Sequence, residues 1–150
     1  MPAADPTDPL EGQHGRGLTE QHRAFLRANH TAVMATVDDL GRAHAVPVLC
    51  ALIGGELWSS GTDLRVRTRH LAARPYATLT VLNRGFWGEW LTVGGPVDIR
   101  RDARVEDNLR LYRVATGRDP DDLDEYRTAM VAERRLVYAL TPERVYPSSR

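Results

Sequence analysis

Residues 31–60 read TAVMATVDDLGRAHAVPVLCALIGGELWSS, three β-branched and apolar runs separated by two turn signals. The first run, TAVMATV (31–37), stops at DDLG, and RAHAVPVLCALI then resumes an extended pattern, which predicts a hairpin. Gly54 and Gly55 supply a second tight turn before a third strand over 56–60. Pro47 lies inside the second run and has no N–H to give to a ladder, so this strand is expected at an edge or locally unpaired there. Backbone left unpaired in this way is open to a ligand.

Working outward, LTEQHRAFLRANH (18–30) predicts a short amphipathic helix capped by Thr19 and ending near Asn29. On the other side, TDLRVRTRHLAARP (62–75) has helical spacing over 63–74, with Thr62 or Asp63 as cap and Pro75 as stop. YATLTVLN (76–83) reads as a fourth strand and RGFWG (84–88) as a loop. EWLTVGGPVDIRR (89–101) is a fifth strand with a Gly94-Gly95 break of the kind that bends a strand around a barrel. RVEDNLRLYRVATG (104–117) is helical with Gly117 as C-cap, and LDEYRTAMVAERR (123–135) is a helix whose acidic start and basic end suit its dipole. LVYALTPERVY (136–146) predicts a last strand. Six or so antiparallel strands without βαβ alternation predict a mainly β fold, a small barrel with peripheral helices.

Composition bounds what such a barrel does. The chain has 150 residues, 42% hydrophobic and 27% charged, with a formal net charge of zero. That is one domain's worth, expected over 18–150 behind a flexible Pro/Gly/Asp-rich leader at 1–17. Neutral charge, and basic and aromatic residues that do not interleave along the strands, argue against a nucleic-acid partner. Cys50 is the only cysteine, which excludes a disulfide framework and reads as a core residue. No metal-ligand spacing stands out, and Asp121, Asp122, Asp124 and Glu125 read as a helix start. No apolar run approaches the roughly 20 residues that cross a bilayer, and no apolar signal core opens the chain, so no membrane partner and a cytoplasmic location are expected.

The segment with most chemistry is the one after the third strand. Every basic residue of the chain is arginine, and Arg65, Arg67 and Arg69 alternate directly after the small donors Ser59, Ser60, Gly61 and Thr62. Such a run is either a solvated helix face or an anion cradle. At about 100° per residue, Arg65 and Arg69 share a face while Arg67 points away. Phe86, Trp87 and Trp90 read as core or dimer interface, the usual places of aromatic side chains. His44 beside Pro47 is the tempting acid or base, but a lone histidine assigns nothing, and the catalytic residue is left unassigned.

Taken together, ATVDDLGRAHAVPV (35–48), GTDLRVRTRHLAARP (61–75) and WLTVGGPVDI (90–99) resemble the split β-barrel family of pyridoxamine 5'-phosphate oxidase-like flavin and deazaflavin proteins. EYRTAMVAERRLVYALTPERVY (125–146) is similar to the C-terminal signature of its actinobacterial, F420-dependent branch. The resemblance implies an FMN-binding type of split barrel that pairs as a homodimer, with cofactors in grooves between the subunits. It places the cofactor ring along Val46, Pro47 and Val48, and the phosphate and ribityl chain near Ser59, Ser60, Gly61 and Thr62. The family's R-x-K-T-R-N-L pattern falls on residues 65–71, giving Arg65 and Arg67 the phosphate and Thr68 a hydroxyl contact, with Trp90 lining the pocket. Two residues depart from it: Arg67 stands in place of lysine and His70 in place of asparagine. The implied activity is hydride delivery from reduced coenzyme F420 to a small conjugated or heteroaromatic acceptor. An FMN-dependent enzyme and a non-catalytic flavin or tetrapyrrole carrier are the alternatives.

Overall fold

The computed structural model describes residues 17–83, 88–102 and 104–147. The expected leader, apart from Gly17, and Phe86 and Trp87 lie outside the described residues. The elements are α1 (Glu20–Ala28), β1 (Thr31–Val37), β2 (Ala43–Ile53), β3 (Glu56–Thr62), α2 (Val66–Ala73), β4 (Tyr76–Leu82), β5 (Trp90–Arg101), α3 (Glu106–Thr116), α4 (Leu123–Ala132), β6 (Arg135–Leu140) and β7 (Arg144–Pro147). Six strands form a closed antiparallel barrel in the order β4-β1-β2-β3-β6-β5, with β4 paired back to β5, and β7 adds to β5.

Closure depends on the predicted glycine break. β5 pairs with β4 through Trp90–Pro96 and with β6 through Val97–Arg101, so it turns a corner at Gly94, Gly95 and Pro96. The connection after β6 crosses this corner closely, and a Cβ on Gly95 would lie 1.8 Å from the Thr141 carbonyl oxygen. Thr141 N donates to Pro96 O and Glu143 N to Gly94 O, both at 2.9 Å. This crossing, with Pro142 unable to donate, splits the single last strand expected from sequence into β6 and β7.

Alternation along the strands separates two cores. Met34, Cys50, Leu57, Leu79, Val93, Leu136, Tyr138 and Leu140 fill the barrel. Outside it, Leu111 of α3 packs on Ala51, Ile53, Trp58, Val137 and Ala139, so β3 and β6 are covered on both faces. Burying a leucine this way contributes about 1.5–3 kcal/mol. Cys50 is fully buried, as its apolar context predicts, and burial pushes its thiol up to about 12.

The helix ends show what sequence reading located and what it shifted. Thr19 caps α1 as expected, its hydroxyl accepting from His22 N at 3.2 Å, and Gly117 ends α3 in the left-handed region. α2, however, begins at Val66 with Arg65 in the cap position. Thr62 is still paired to Arg135 in the β3–β6 ladder, and Asp63 forms an ion pair with Arg101, so neither serves as cap. α4 ends at Ala132; Arg134 takes a positive φ, and Arg135 opens β6 instead of closing the helix. Among the described residues, no helix is long and apolar enough to cross a membrane.

Candidate functional site

The second strand has the open edge that Pro47 predicts. β1 pairs with β2 from Ala43 to Leu49, whereas the β2–β3 ladder runs only from Cys50 to Ile53. Beside the unpaired edge lies a cavity of about 380 Å³. Pro47, Val48 and Leu49 form one wall, Ser60, Arg67, Asn108 and Arg135 supply polar groups, and Leu111, Tyr112, Tyr126 and Met130 of α3 and α4 complete it.

Arg67 is the group that asks for a ligand. Its Nη2 donates to Ser60 O at 3.1 Å and its guanidinium lies over the Tyr138 ring, 5.5 Å from the centroid. Its Nε is buried with no partner among the described residues. Burial pulls Arg67 below the usual arginine value; Tyr138 opposes this, and the nearby Arg65 and Arg135 guanidinia add to it. Three like charges converge here, and Arg135 has one carboxylate, Glu133, at 2.6 Å. Arg65 is exposed at the helix cap, and its side chain has no hydrogen bond or ion pair among the described residues. An anion at this end of the cavity would relieve the repulsion.

Beside the cations runs a short polar chain. Asp102 accepts from the backbone N of Asn108 at 2.7 Å and from its Nδ2 at 2.8 Å, while Ser60 Oγ donates to Asn108 Oδ1 at 2.5 Å. Tyr126, whose hydroxyl burial holds above the ordinary tyrosine value, donates to Asn108 O at 3.1 Å and ties α4 to α3.

The structure thus brings together Pro47, Val48, Ser60 and Arg67 of the sequence-derived set, with Arg65 and Thr62 close by. Others sit elsewhere. Ser59 and Gly61 are buried, and Gly61 is seated under Tyr138, where a Cβ would meet the hydroxyl at 2.1 Å. The Thr68 hydroxyl is buried, donating to Thr62 O at 2.6 Å and bonding the Tyr138 hydroxyl, so its hydrogen bonds are made within the chain. Val46 is half-buried and does not line the cavity, and Trp90 lies on the outer barrel face, where the registers align it with Leu82, Thr31 and Leu49. His44 packs edge-on against His70 at 5.9 Å, and His70 Nδ1 pairs with Thr36 Oγ1 at 2.9 Å; neither histidine lines the cavity.

Sequence reasoning missed Arg135, Asn108 and the α3–α4 residues of the cavity. Arg135 was read as a helix end, and Asn108 stands in a helical pattern where an amide carries no signal; only the β3–β6 register and the packing of α3 reveal them. A second cavity of about 520 Å³, lined by Asn29, His30, Thr31, Leu82 and Asn83, lies on the other side of Leu49, which both cavities share.

Solved structures of the same fold accompany this geometry. An F420 reductase is 22% identical with a TM-score of 0.68, the match covering 86% of this chain and 98% of that one. The conserved hypothetical protein Rv2991 from Mycobacterium tuberculosis is 16% identical with a TM-score of 0.70, covering 88% and 85%. A heme binding protein from Mycobacterium smegmatis is 21% identical with a TM-score of 0.60, covering 83% of this chain and 51% of that one. Residues 18–149, the whole barrel with its helices, match the pyridoxamine 5'-phosphate oxidase family, and the chain belongs to that family.

Proposed function

We propose that the chain is an F420-dependent oxidoreductase that delivers a hydride to a small conjugated or heteroaromatic acceptor. The observation that carries this is Arg67: a half-buried cation, with the Arg65 and Arg135 guanidinia nearby, at a cavity edged by unpaired strand. Arg65, Arg67 and Arg135 would hold the cofactor's phosphate and acidic tail. Pro47 and Val48 would lie against the ring, with the α3–α4 residues Leu111, Tyr112, Tyr126 and Met130 excluding water. Likeness to an F420 reductase supports the choice of cofactor. When bound, the reduced deazaflavin supplies the hydride; the chain supplies anchoring, orientation and a dry surround. The cavity across Leu49 leaves room for an acceptor next to the ring.

The reading includes a homodimer. Leu49 and Trp90, each 44% exposed, stand on one outer face with the exposed Ala43, Ala45 and Pro47, a surface with few charges to solvate it. Pairing this face with a second copy would cover it.

Titration of the purified protein with F420 and with FMN tests the cofactor. Saturable F420 binding at micromolar concentration, with turnover of a nitro-aromatic or enone acceptor, is the expected result. A protein yellow as purified, saturating with FMN and not with F420, overturns the choice in favour of a flavin enzyme. Binding without turnover over a broad acceptor panel points to a carrier.

A further inference from the structure

We propose that Asp102 and Asn108 fix the polarity of Ser60, so that the cavity presents a hydrogen-bond acceptor there and takes a hydroxyl or ring N–H of its ligand, not the phosphate. The inference rests on the reading above of the cavity as a flavin or deazaflavin site.

The argument starts at the buried end of the chain. Asp102 accepts from Asp107 N at 3.2 Å and from Asn108 N at 2.7 Å, which anchors its carboxylate at the start of α3. The Asn108 side chain meets the same Oδ2 at 2.8 Å. A carboxylate offers only acceptors, so the amide must turn its NH₂ toward Asp102; the flipped amide would press two acceptor oxygens together. Asn108 is 2% exposed, so no solvent is at hand to compensate a flip. Its Oδ1 therefore faces Ser60 Oγ, 2.5 Å away, and an amide oxygen can only accept. The single proton of Ser60 is thus committed to Asn108, and what the hydroxyl has left for the cavity is lone pairs.

The cavity therefore offers two kinds of polar contact, cationic donors and, beside them, a hydroxyl acceptor. Phosphate oxygens, acceptors themselves, are repelled by Ser60 Oγ and drawn to Arg67 and Arg135, which line the same cavity. A ribityl hydroxyl or a ring N–H meets Ser60 with the matching donor. The family resemblance implies that residues 59–62 lie near phosphate and ribityl chain together; the polar chain assigns Ser60 to the donor-bearing part. Asp102 and Asn108 are positioning residues for this contact, and Ser60 is the residue that reads it.

The test is a double-mutant cycle run on the ligand side, read by fluorescence titration. The parent probe is 8-hydroxy-5-deazariboflavin 5'-phosphate, which carries a ribityl chain, a ring N3–H and a phosphate. Four analogues remove one donor each: fluorine for hydroxyl at the ribityl 2', 3' or 4' position, and methyl at ring N3. One analogue is expected to bind the wild-type chain about fivefold more weakly than the parent, the size of one neutral hydrogen bond. That same analogue and the parent should bind Ser60→Ala equally. Loss at a ribityl position or at N3 identifies which donor Ser60 meets. Asn108→Ala, checked for folding by thermal melting, frees the Ser60 proton and should also shrink the discrimination; if it does not fold, the Ser60→Ala cycle decides alone. Equal losses for every analogue in wild type and Ser60→Ala overturn the inference while leaving the cofactor reading intact. Failure of the parent probe, F420 and FMN all to bind overturns that reading and the inference with it.

Discussion

Replacing Arg67 by methionine should separate binding from stability. In the chain without ligand, Arg67 donates from Nη2 to Ser60 O at 3.1 Å and leaves its Nε buried with no partner among the described residues. Losing a charged hydrogen bond costs about 1.5–3 kcal/mol, and removing an unsatisfied buried donor returns about 1–3 kcal/mol. Methionine keeps most of the side-chain volume over the Tyr138 ring, so packing is largely retained. The two terms nearly cancel, and the melting free energy of Arg67→Met should stay within about 1 kcal/mol of wild type.

Ligand affinity has no such cancellation. Each charged hydrogen bond lost to the phosphate should weaken binding by about 1.5–3 kcal/mol, or on the order of 10- to 150-fold. The Arg65 side chain is exposed and without a partner among the described residues, so Arg65→Met should leave stability unchanged while lowering affinity less, because water screens it. Thermal and urea unfolding of the ligand-free variants, set beside F420 and FMN titrations, give both numbers. The reasoning is refuted if Arg67→Met binds both cofactors like wild type. It is equally refuted if the variant is destabilised by more than about 3 kcal/mol, since Arg67 would then be a structural residue.

Gly61→Ala places a Cβ 2.1 Å from the fully buried Tyr138 hydroxyl, and urea unfolding should show a loss of at least about 2 kcal/mol. Ala45→Arg, on the exposed face where Ala45 opposes Ala35, should convert the proposed dimer to monomer in sedimentation at micromolar concentration; an unchanged sedimentation coefficient would reject that face as the interface. The Cys50 thiol, held up to about 12 by burial, should resist a thiol reagent at pH 8 until the chain is unfolded. Glu56 is held below its ordinary value chiefly by its bidentate pairing with Arg100, at 2.8 and 2.9 Å. A depressed carboxylate contributes stability above its unfolded value, lost as pH falls through the folded one. Glu56→Gln should therefore cost about 1 kcal/mol at pH 7 and nothing well below pH 4, read by denaturation at both.

Periodicity and glycine positions made the barrel legible. The β1–β2 hairpin falls on TAVMATV and its partner because both alternate, and Gly94-Gly95 marks the corner because a Cβ on Gly95 would strike the Thr141 carbonyl and one on Gly94 the Tyr76 side chain. Pro47 pointed to the open edge for a local reason, its missing N–H. What stayed hidden is what depends on distant parts of the chain meeting. Arg135 becomes a cavity residue through its pairing with Thr62, and Asn108 through a helix laid across β3. Thr68 shows the reverse. A hydroxyl in a phosphate-binding pattern looks free in sequence, yet Tyr138 and Thr62 O, one of them 70 residues away, already use it.

The same contacts give a physical account of arginine at position 67 where the family pattern has lysine. A lysine is a point charge on a flexible stem, whereas the guanidinium is planar, lies over Tyr138 and still reaches Ser60 O. Tyr138 in turn occupies the space that Gly61 leaves and bonds Thr68. Arg67, Tyr138, Gly61 and Thr68 therefore form one packed unit, in which the glycine admits the ring, the threonine fixes its hydroxyl, and the ring supports the cation. Arg67→Lys, a change that keeps the charge, should accordingly lower affinity, because the ammonium loses the stacked orientation. Tyr138→Phe should weaken stability by about 1 kcal/mol through Thr68 while leaving the stacked arginine, and most of the affinity, in place.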